Sequence, residues 1–213
     1  VGDASKGGFL ELALAGVTLG GPMTIEIVAK WSAFNNWARI FYCGNNANGQ
    51  GVDSIILSTP PGQGQMNFNI HDSSGYNQAQ TANTDLVLGV RYHIVATVAM
   101  ELMIVYINGV EKARKTDGAQ PAMIVRAQCY IGKAISSDYA YLSGEVSSLK
   151  IHSGAMTQVQ VTAAYRAASP ILEYYWDFTG TVSPDSCDVL AIEHTDNADG
   201  KYFHADNACL QRI

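Results

Sequence analysis

The stretch RYHIVATVAMELMIVYINGVE, residues 91–111, decides the fold of this chain. Apolar and β-branched side chains run through 92–99 and 102–109, as expected of strands that are buried on at least one face. Asn108-Gly109 supplies the positive φ angles that a tight type I′ turn between antiparallel strands requires. We therefore expect a hairpin here, and with it a sheet of antiparallel strands.

The same strand pattern recurs along most of the chain. Further strands are predicted at 8–14, 23–31, 38–44, 54–58, 66–71, 129–133 and 144–152. Gly, Pro, Asn or Asp lies in most of the gaps between them. One short helix is predicted, opened by Thr157 as its N-cap and ending at Ala168, before Ser-Pro. Many short strands with a single helix near 157–168 predict an all-β, antiparallel two-sheet jelly-roll sandwich.

Length and composition fit one globular sandwich. The chain has 213 residues, of which 47% are hydrophobic and 15% charged, and single β-sandwiches reach roughly 200–250 residues. The net charge of −6 disfavours nucleic acid or an anionic membrane as a partner. No apolar run approaches the roughly 20 residues that a membrane helix needs. The first residue is Val1, without a start Met or signal peptide, so we expect a processed chain or a fragment.

The four cysteines fall into two pairs of different character. Cys187 and Cys209 flank a polar, Gly- and Asp-rich tail, where a disulfide would restrain a segment with little core of its own, and we predict one there. Cys43 and Cys129 lie in apolar strands, and either free buried thiols or a disulfide would suit those positions. The even number of cysteines and the low charge favour an extracellular or cell-surface location.

Three ordered stretches resemble laminin-G-like domains of the concanavalin A-like superfamily. They are GGPMTIEIVAKWSAFNNWARIFYCGN (20–45), the hairpin at 91–111 and YIGKAISSDYAYLSGEVSSLKIHSGAMT (130–157). The resemblance covers about 20–165 in register and implies the same jelly-roll sandwich. It leaves function open, because this fold carries lectins, adhesion modules, glucanases and structural units.

The tail has two interpretations. We expect a laminin-G-like sandwich over 1–171 and a separate segment over 172–213. LEYYWDFTG (172–180) resembles the first strand of a laminin-G-like unit, and 200–213 can be laid beside 7–20. The tail is therefore either a set of closing strands with a disulfide-linked extension, or the start of a next repeat unit. A repeated array would favour a scaffold or adhesive role.

Catalysis is not expected. The glucanases of this superfamily use a Glu-x-Asp-x-x-Glu pattern on one strand, so that two carboxylates flank the scissile bond. The corresponding strand here has Glu145 followed by Ser147 and Ser148, with no second carboxylate. The Gly-x-Ser-x-Gly elbow of serine hydrolases is also missing from the sequence. We therefore predict that the chain is not an enzyme.

Calcium is the one cofactor that the sequence suggests. The loop AISSDYAY (134–141) resembles a calcium-ligand loop of the related pentraxins, and Asp138 is the residue that would match. Asp53 would be its partner from a second loop, because Ca²⁺ takes six to eight oxygen ligands. The alternative is that Asp138 forms an Asx-type turn.

Carbohydrate binding needs aromatic faces that stack on sugar rings and planar polar groups that reach the hydroxyls. The sequence offers eight such candidates: Asn36, Trp37, Asn69, His71, Asp72, Tyr76, Tyr139 and Tyr141. Alternation puts Met66, Phe68 and Ile70 on one sheet face and the intervening polar residues on the other. A polar row beside aromatic loops suits an open glycan groove, although a solvated outer sheet face would have the same pattern.

The sequence thus predicts a non-catalytic extracellular module for glycan binding or adhesion. Its partners would be a glycan or an extracellular protein, with neighbouring repeat domains or sibling chains beside it. The alternative is a structural repeat unit that packs through protein–protein contacts in a larger extracellular assembly. A glycan-cleaving enzyme is the third hypothesis, and it lacks the carboxylates it would need.

Overall fold

The structure is a computed structural model that describes residues 9–12, 16–47, 50–72, 75–136, 138–168, 191–193 and 202–204. The chain divides into two compact units, Val1–Ser169 and Pro170–Ile213. The first unit is an antiparallel two-sheet sandwich, as predicted. No helix of the described ranges is long and apolar enough to cross a membrane.

The first unit contains two principal sheets. Its described strands are β1 (Leu10–Glu11), β2 (Thr18–Leu19), β3 (Met23–Ala33), β4 (Ala38–Ala47), β5 (Gln50–Thr59), β6 (Asn67–Asp72), β7 (Gly75–Gln80), β8 (Arg91–Ala99), β9 (Leu102–Ile107), β10 (Val110–Lys115), β11 (Ile124–Val125), β12 (Gln128–Ile131) and β13 (Ser143–Ser153). The six-stranded sheet has the order β1-β12-β4-β5-β6-β7, and the five-stranded sheet has the order β10-β9-β8-β3-β13. Strands β2 and β11 form a separate pair.

The predicted hairpin is confirmed. Asn108 and Gly109 have φ angles of 51° and 77°, and Ile107 pairs with Val110 across the turn. The other strands differ from the prediction in two respects. The short strands β2 and β11 and the edge strand β7 are not predicted by the sequence pattern, and β7 has the polar sequence GYNQAQ. The strand predicted at 8–14 appears, within the described residues there, only as Leu10–Glu11.

The hydrophobic core lies between the two sheets. Both sheets contribute fully buried side chains, among them Ile25, Ile27, Trp31, Ile94 and Val105 from one and Phe41, Leu57, Phe68 and Ile70 from the other. Burying a side chain of this size contributes roughly 1.5–3 kcal/mol. The alternation predicted for 66–71 is confirmed, because Met66, Phe68 and Ile70 all belong to this core.

The helix α1 (Gln158–Ala168) forms where it was predicted. Thr157 caps it in both directions: the Thr157 backbone N–H donates to Gln160 Oε1 at 2.8 Å, and the Gln160 N–H donates to Thr157 Oγ1 at 3.4 Å. Val161 is fully buried and packs with Val95, Ile104 and Tyr106. The helix therefore covers the side of the five-stranded sheet that points away from the core.

A disulfide joins Cys43 of β4 to Cys129 of β12. The two residues are directly opposite each other in neighbouring strands, and both belong to the core. The sequence left free thiols and a disulfide open at these positions, and the structure has the disulfide. It closes a loop across a sequence separation of 86.

The second unit is described over two short strands, β14 (Ala191–Glu193) and β15 (Tyr202–His204). They pair antiparallel, with Ile192 opposite Phe203. The predicted disulfide between Cys187 and Cys209 lies outside the described residues, as does the strand-like stretch 172–180. Whether the tail begins a next repeat therefore remains a prediction.

Candidate functional site

A β-bulge in β4 creates the candidate site. Arg39 pairs with Ser58 and Phe41 pairs with Leu57, so Ile40 is the extra residue between them. Phe41 faces the core, and the extra residue turns Arg39 to the opposite face. Tyr42 follows Phe41 in β4 and lies on the same face as Arg39. We call this face, which points away from the core, the outer face of the six-stranded sheet.

Cross-strand rows of mostly polar side chains cover this outer face. One row consists of Arg39, Ser58, Asn67 and Gln80, the next of Tyr130, Tyr42, Ile56, Asn69 and Gln78, and a third of Ser54, His71 and Tyr76. Asn67, Asn69, Ser54 and Ser58 are nonetheless buried. This face is therefore not the solvated polar surface that the sequence also allowed.

A groove with a volume of 440 Å³ lies on this face. Its lining comes from four strands and from the loop that follows β12: Arg39, Tyr42, Ser54, Ile56, His71, Tyr76, Ala134, Ile135, Ser136, Asp138 and Tyr139. Four predicted site residues, His71, Tyr76, Asp138 and Tyr139, meet here although they are far apart in the sequence. Tyr76 is 52% exposed and Tyr139 is 38% exposed, so both rings are accessible.

Arg39 and Tyr42 are the buried polar groups of the groove. Arg39 is only 6% exposed, and its guanidinium carbon lies 4.4 Å from the centroid of the Tyr139 ring, a cation–π contact. Burial lowers the pKa of Arg39 from its usual value, but a guanidinium stays charged. Burial also raises the pKa of Tyr42 to about 12, so its hydroxyl is neutral and can donate.

The loop carrying Asp138 and Tyr139 is fixed by the turn between β3 and β4. The Asn36 side chain donates to the Asp138 carbonyl at 3.3 Å, and the Ala140 N–H donates to the Asn36 carbonyl at 2.9 Å. Trp37, half-buried and with a φ of 46°, completes the turn. Asn36 therefore positions the loop, and neither Asn36 nor Trp37 is among the residues that line the groove. A ligand role for these two residues stays a prediction.

The other predicted ligand residues lie around the groove. Tyr141 stacks on Phe9, with ring centroids 6.2 Å apart, beside the edge of the sheet. Asp72 ends β6 opposite Gly75. Asn69 is buried on the outer face, where its Nδ2 donates to Ser58 Oγ at 3.4 Å and its Oδ1 has no hydrogen-bond partner. A ligand role for these three residues stays a prediction.

The calcium prediction rests on two separate aspartates. Asp138 lines the groove and accepts a hydrogen bond from Ser136 Oγ at 3.0 Å. Asp53 has a φ of 49°, and its backbone carbonyl accepts from Arg126 Nε at 2.6 Å. Across the described ranges, no group of three or more His, Cys, Asp and Glu side chains is arranged to hold a metal ion. A calcium site at Asp138 and Asp53 stays a prediction.

Glu145, the carboxylate of the compared glucanase strand, lies on the five-stranded sheet and outside the groove. It forms ion pairs with Lys30 at 3.0 Å and with Arg91 at 3.9 Å. The hydrogen bond from Lys30 holds the pKa of Glu145 below its usual value, so the group is a charged surface carboxylate. Ser147 Oγ accepts from Arg91 Nη1 at 2.6 Å.

Sequence reasoning missed Arg39, Tyr42, Ser54 and Ile56. One signal was present, because Arg39 is a charged residue within the apolar run ARIFYCG, and buried charges normally need a partner. Strict alternation, however, would have put Arg39 and Phe41 on the same face. The bulge that separates them could not be read from the sequence.

Comparison with known proteins now places the fold in a family. A laminin G profile, described as concanavalin A-like lectin/glucanases superfamily, matches residues 5–162. The chain belongs to this superfamily. The laminin-G-like resemblance drawn from the sequence is thereby confirmed. No curated protein sequence is significantly similar to this laminin-G-like chain.

Solved structures share the same laminin-G-like fold at low sequence identity. Domains LG4-5 of the mouse laminin alpha1 chain are 18% identical, with a TM-score of 0.55, over 68% of this chain and 38% of that one. The CBM40 domain of the Ruminococcus gnavus IT-sialidase, bound to α2,3 sialyllactose, is 11% identical, with a TM-score of 0.63, over 75% and 92%. Domain 4 of the extracellular arabinanase AbnA from Geobacillus stearothermophilus, in complex with arabinotriose, is 22% identical, with a TM-score of 0.57, over 70% and 68%.

Proposed function

We propose that the chain is a non-catalytic, extracellular carbohydrate-binding module whose groove holds a glycan. The observation that carries this proposal is the pairing of two accessible tyrosines, Tyr76 and Tyr139, with polar side chains in one groove. Aromatic rings offer a large apolar face with little conformational freedom to lose. A sugar ring has both an apolar face and a rim of hydroxyls, so it matches such a groove.

The floor of the groove has unsatisfied hydrogen-bonding capacity. Arg39 Nη1 and the Tyr42 hydroxyl are buried and have no hydrogen-bond partner among the described residues. Leaving a buried polar group unpaired costs about 1–3 kcal/mol. Ligand hydroxyls that reach these atoms would recover that free energy.

The similar structures and the disulfide also support a carbohydrate-binding, extracellular module, without indicating which glycan it binds. Two of the similar structures contain bound saccharides, sialyllactose in one and arabinotriose in the other. A buried disulfide is typical of proteins that fold in oxidising compartments, which supports an extracellular location. We therefore propose a glycan as the principal partner.

Removing the accessible rings tests the groove directly. We expect Tyr76→Ala and Tyr139→Ala each to weaken glycan binding about three- to tenfold, because each removes one stacking face. Titration calorimetry with a glycan selected on an array measures the effect. Tyr165→Ala is the matched control, since Tyr165 is a half-buried tyrosine on α1 near His93 of the five-stranded sheet, and we expect no change in affinity.

A glycan array run with EDTA and with Ca²⁺ tests whether glycan binding requires calcium. Binding that disappears in EDTA and returns with Ca²⁺ would support the predicted site at Asp138 and Asp53, and Asp138→Asn should then abolish the calcium response. Binding that is equal in both buffers would contradict a calcium requirement. If the folded chain bound no glycan in either buffer, the carbohydrate-binding proposal would be wrong.

One observation favours the alternative function, a structural unit in an extracellular assembly. An apolar crevice of 510 Å³ lies between the edge formed by β1 and β12 and the strand β13. Phe9 and Leu10 line it and are 43% and 58% exposed. We would assign this crevice to a neighbouring copy of the chain. Sedimentation velocity should then show self-association that Leu10→Glu abolishes, whereas a monomer at every concentration would argue against it.

A further inference from the structure

Among the described residues, two arginines are buried, and they differ in how their charge is satisfied. Arg126 is 3% exposed and donates to three backbone carbonyls: Nε to Asp53 at 2.6 Å, Nη2 to Ala122 at 3.1 Å, and Nη1 to Leu19. Its guanidinium is therefore held by the fold alone. Arg39 is 6% exposed, yet its Nη1 has no hydrogen-bond partner. Only Arg39 of the two lines the groove.

Among the described residues, Arg39 forms no ion pair with a carboxylate. The ion pairs found among the described residues involve Lys30, Arg91, Lys112, Arg114, Lys115, Lys150 and two histidines, and none involves Arg39. The Tyr139 ring stacks over the guanidinium and a side-chain hydrogen bond with Tyr139 supports its charge, but Nη1 keeps no partner and can bind a ligand. A buried cation without a counter-charge is costly to the fold, and an anionic ligand would relieve that cost.

We propose that the groove selects acidic glycans, and that Arg39 binds the carboxylate of a sugar acid such as a uronic or sialic acid. This inference rests on the proposed glycan-binding function and narrows its ligand class. A carboxylate is planar and accepts two hydrogen bonds, which suits the planar donors of a guanidinium. The Tyr42 hydroxyl, also buried and unpaired in the groove, is a second donor.

The rest of the groove fits a sugar acid better than a bare anion. Tyr76 and Tyr139 give it accessible aromatic rings, which a small inorganic ion would not use. Asp138 also lines the groove, and its carboxylate accepts a hydrogen bond from Ser136 Oγ at 3.0 Å. The saccharide hydroxyls can reach this polar end, while the carboxylate pairs with Arg39. The ligand is therefore expected to be an acidic sugar within a larger saccharide.

The test compares saccharides that differ only in the charge of the acid. The probes are oligogalacturonate against its methyl ester, and sialyllactose against the methyl ester of its sialic acid, titrated calorimetrically into the wild-type protein without added metal. We expect at least one acidic probe to bind about ten- to a hundredfold tighter than its neutral partner, the range for a hydrogen bond to a charged group. Sulfated lactose is a further arm, and its binding in place of every carboxylated probe would overturn the assignment to a carboxylate.

Variants of Arg39 test whether this side chain causes the preference for acidic probes. Arg39→Gln should bind the acidic and neutral probes equally, and Arg39→Lys should keep only part of the preference, because it retains charge without the planar donors. Arg114→Gln is the matched control, since it removes the same charge from an exposed ion pair with Glu111 on the five-stranded sheet. It should leave the preference unchanged.

The outcomes distinguish this inference from the function on which it rests. Equal wild-type binding of acidic and neutral probes would overturn the acidic preference and leave the carbohydrate-binding module standing. A folded Arg39→Gln protein that keeps the preference would overturn the role of Arg39. If Arg39→Gln does not fold, the wild-type comparison still tests the acidic preference, and Arg39→Lys still tests the role of Arg39. Failure of the wild type to bind any saccharide would contradict both proposals.

Discussion

Replacing both members of the buried disulfide, Cys43→Ala with Cys129→Ala, is expected to lower the free energy of unfolding by about 3–4 kcal/mol. The bond closes a loop across a sequence separation of 86, and a cross-link of that length restricts the unfolded chain by about 4–5 kcal/mol in the chain-entropy estimate. Measured losses are usually somewhat smaller than this estimate. Guanidinium denaturation of the two proteins, followed by circular dichroism, measures the difference.

The control for this variant is Cys187→Ala with Cys209→Ala, which leaves the sandwich disulfide intact. We expect it to leave the unfolding midpoint of the first unit unchanged, because Cys43 and Cys129 are both in that unit. A reducing agent should destabilise the wild type but have no further effect on the Cys43→Ala, Cys129→Ala protein. Equal midpoints for that protein and the oxidised wild type would show that the bond does not stabilise the fold. Thiol labelling of the unfolded, unreduced wild type also tests the predicted Cys187–Cys209 bond.

The sandwich could be predicted from the sequence because its strands are strongly patterned. Strands such as β8 and β9 are buried and β-branched, and Asn108-Gly109 is specific for a tight hairpin. Strand β7 escaped prediction because an edge strand needs few apolar residues. The Cys43–Cys129 bond depends on β12 pairing with β4. That pairing joins segments far apart in the chain, and local patterns do not contain such information.

The candidate site was predictable in its residue types but not in its geometry. His71, Tyr76, Asp138 and Tyr139 were identified as polar or aromatic residues near strand ends, and they converge because the loop after β12 lies beside β4–β7. Arg39 escaped notice because its position depends on one extra residue in β4. A bulge reverses the facing of every residue beyond it. Simple alternation therefore puts Arg39, the buried cation of the groove, on the core face with Phe41, whereas the structure has it on the outer face.

A second cluster, on the face of the five-stranded sheet that points away from the core, has a different role. The Glu26 carboxylate in β3 is 1% exposed and lies 2.8 Å from Lys150 Nζ, 3.0 Å from His152 Nε2 and 3.3 Å from His93 Nε2. Tyr165 of α1 lies beside His93, with ring centroids 5.8 Å apart. Burial alone would raise the pKa of Glu26, but its interactions with Lys150, His152 and His93 outweigh burial and lower that pKa.

Glu26→Gln is therefore expected to lower the free energy of unfolding by about 2–3 kcal/mol at pH 7, because hydrogen bonds to a buried charged group are lost. Glu145→Gln is the matched control on β13. The Glu145 side chain is 52% exposed in its ion pairs, and solvent-exposed pairs contribute little to stability. Urea denaturation of the three proteins at one pH gives both differences. Equal losses for the two variants would contradict a special role for Glu26.

The pH dependence of that loss identifies its origin. Because the folded pKa of Glu26 is lowered, its stabilisation is fully present above the unfolded value of about 4.3 and is lost as pH falls through the folded pKa. Wild type and Glu26→Gln should therefore differ most near neutrality and converge in acid, since Gln resembles the protonated carboxyl group. A difference that stayed constant down to pH 3 would rule out the carboxylate charge as its cause.

His93, like Glu26, is expected to make the folded sandwich less stable as pH falls. Burial lowers the pKa of His93, and its contact with Glu26 opposes this only in part. Below the unfolded value of about 6.5, the unfolded chain binds a proton that the folded chain resists, so stability falls as pH decreases. We expect the wild-type unfolding free energy to decline from pH 7 towards pH 5, before Glu26 titrates. His93→Gln should flatten that decline, whereas an unchanged slope would mean that another group is responsible.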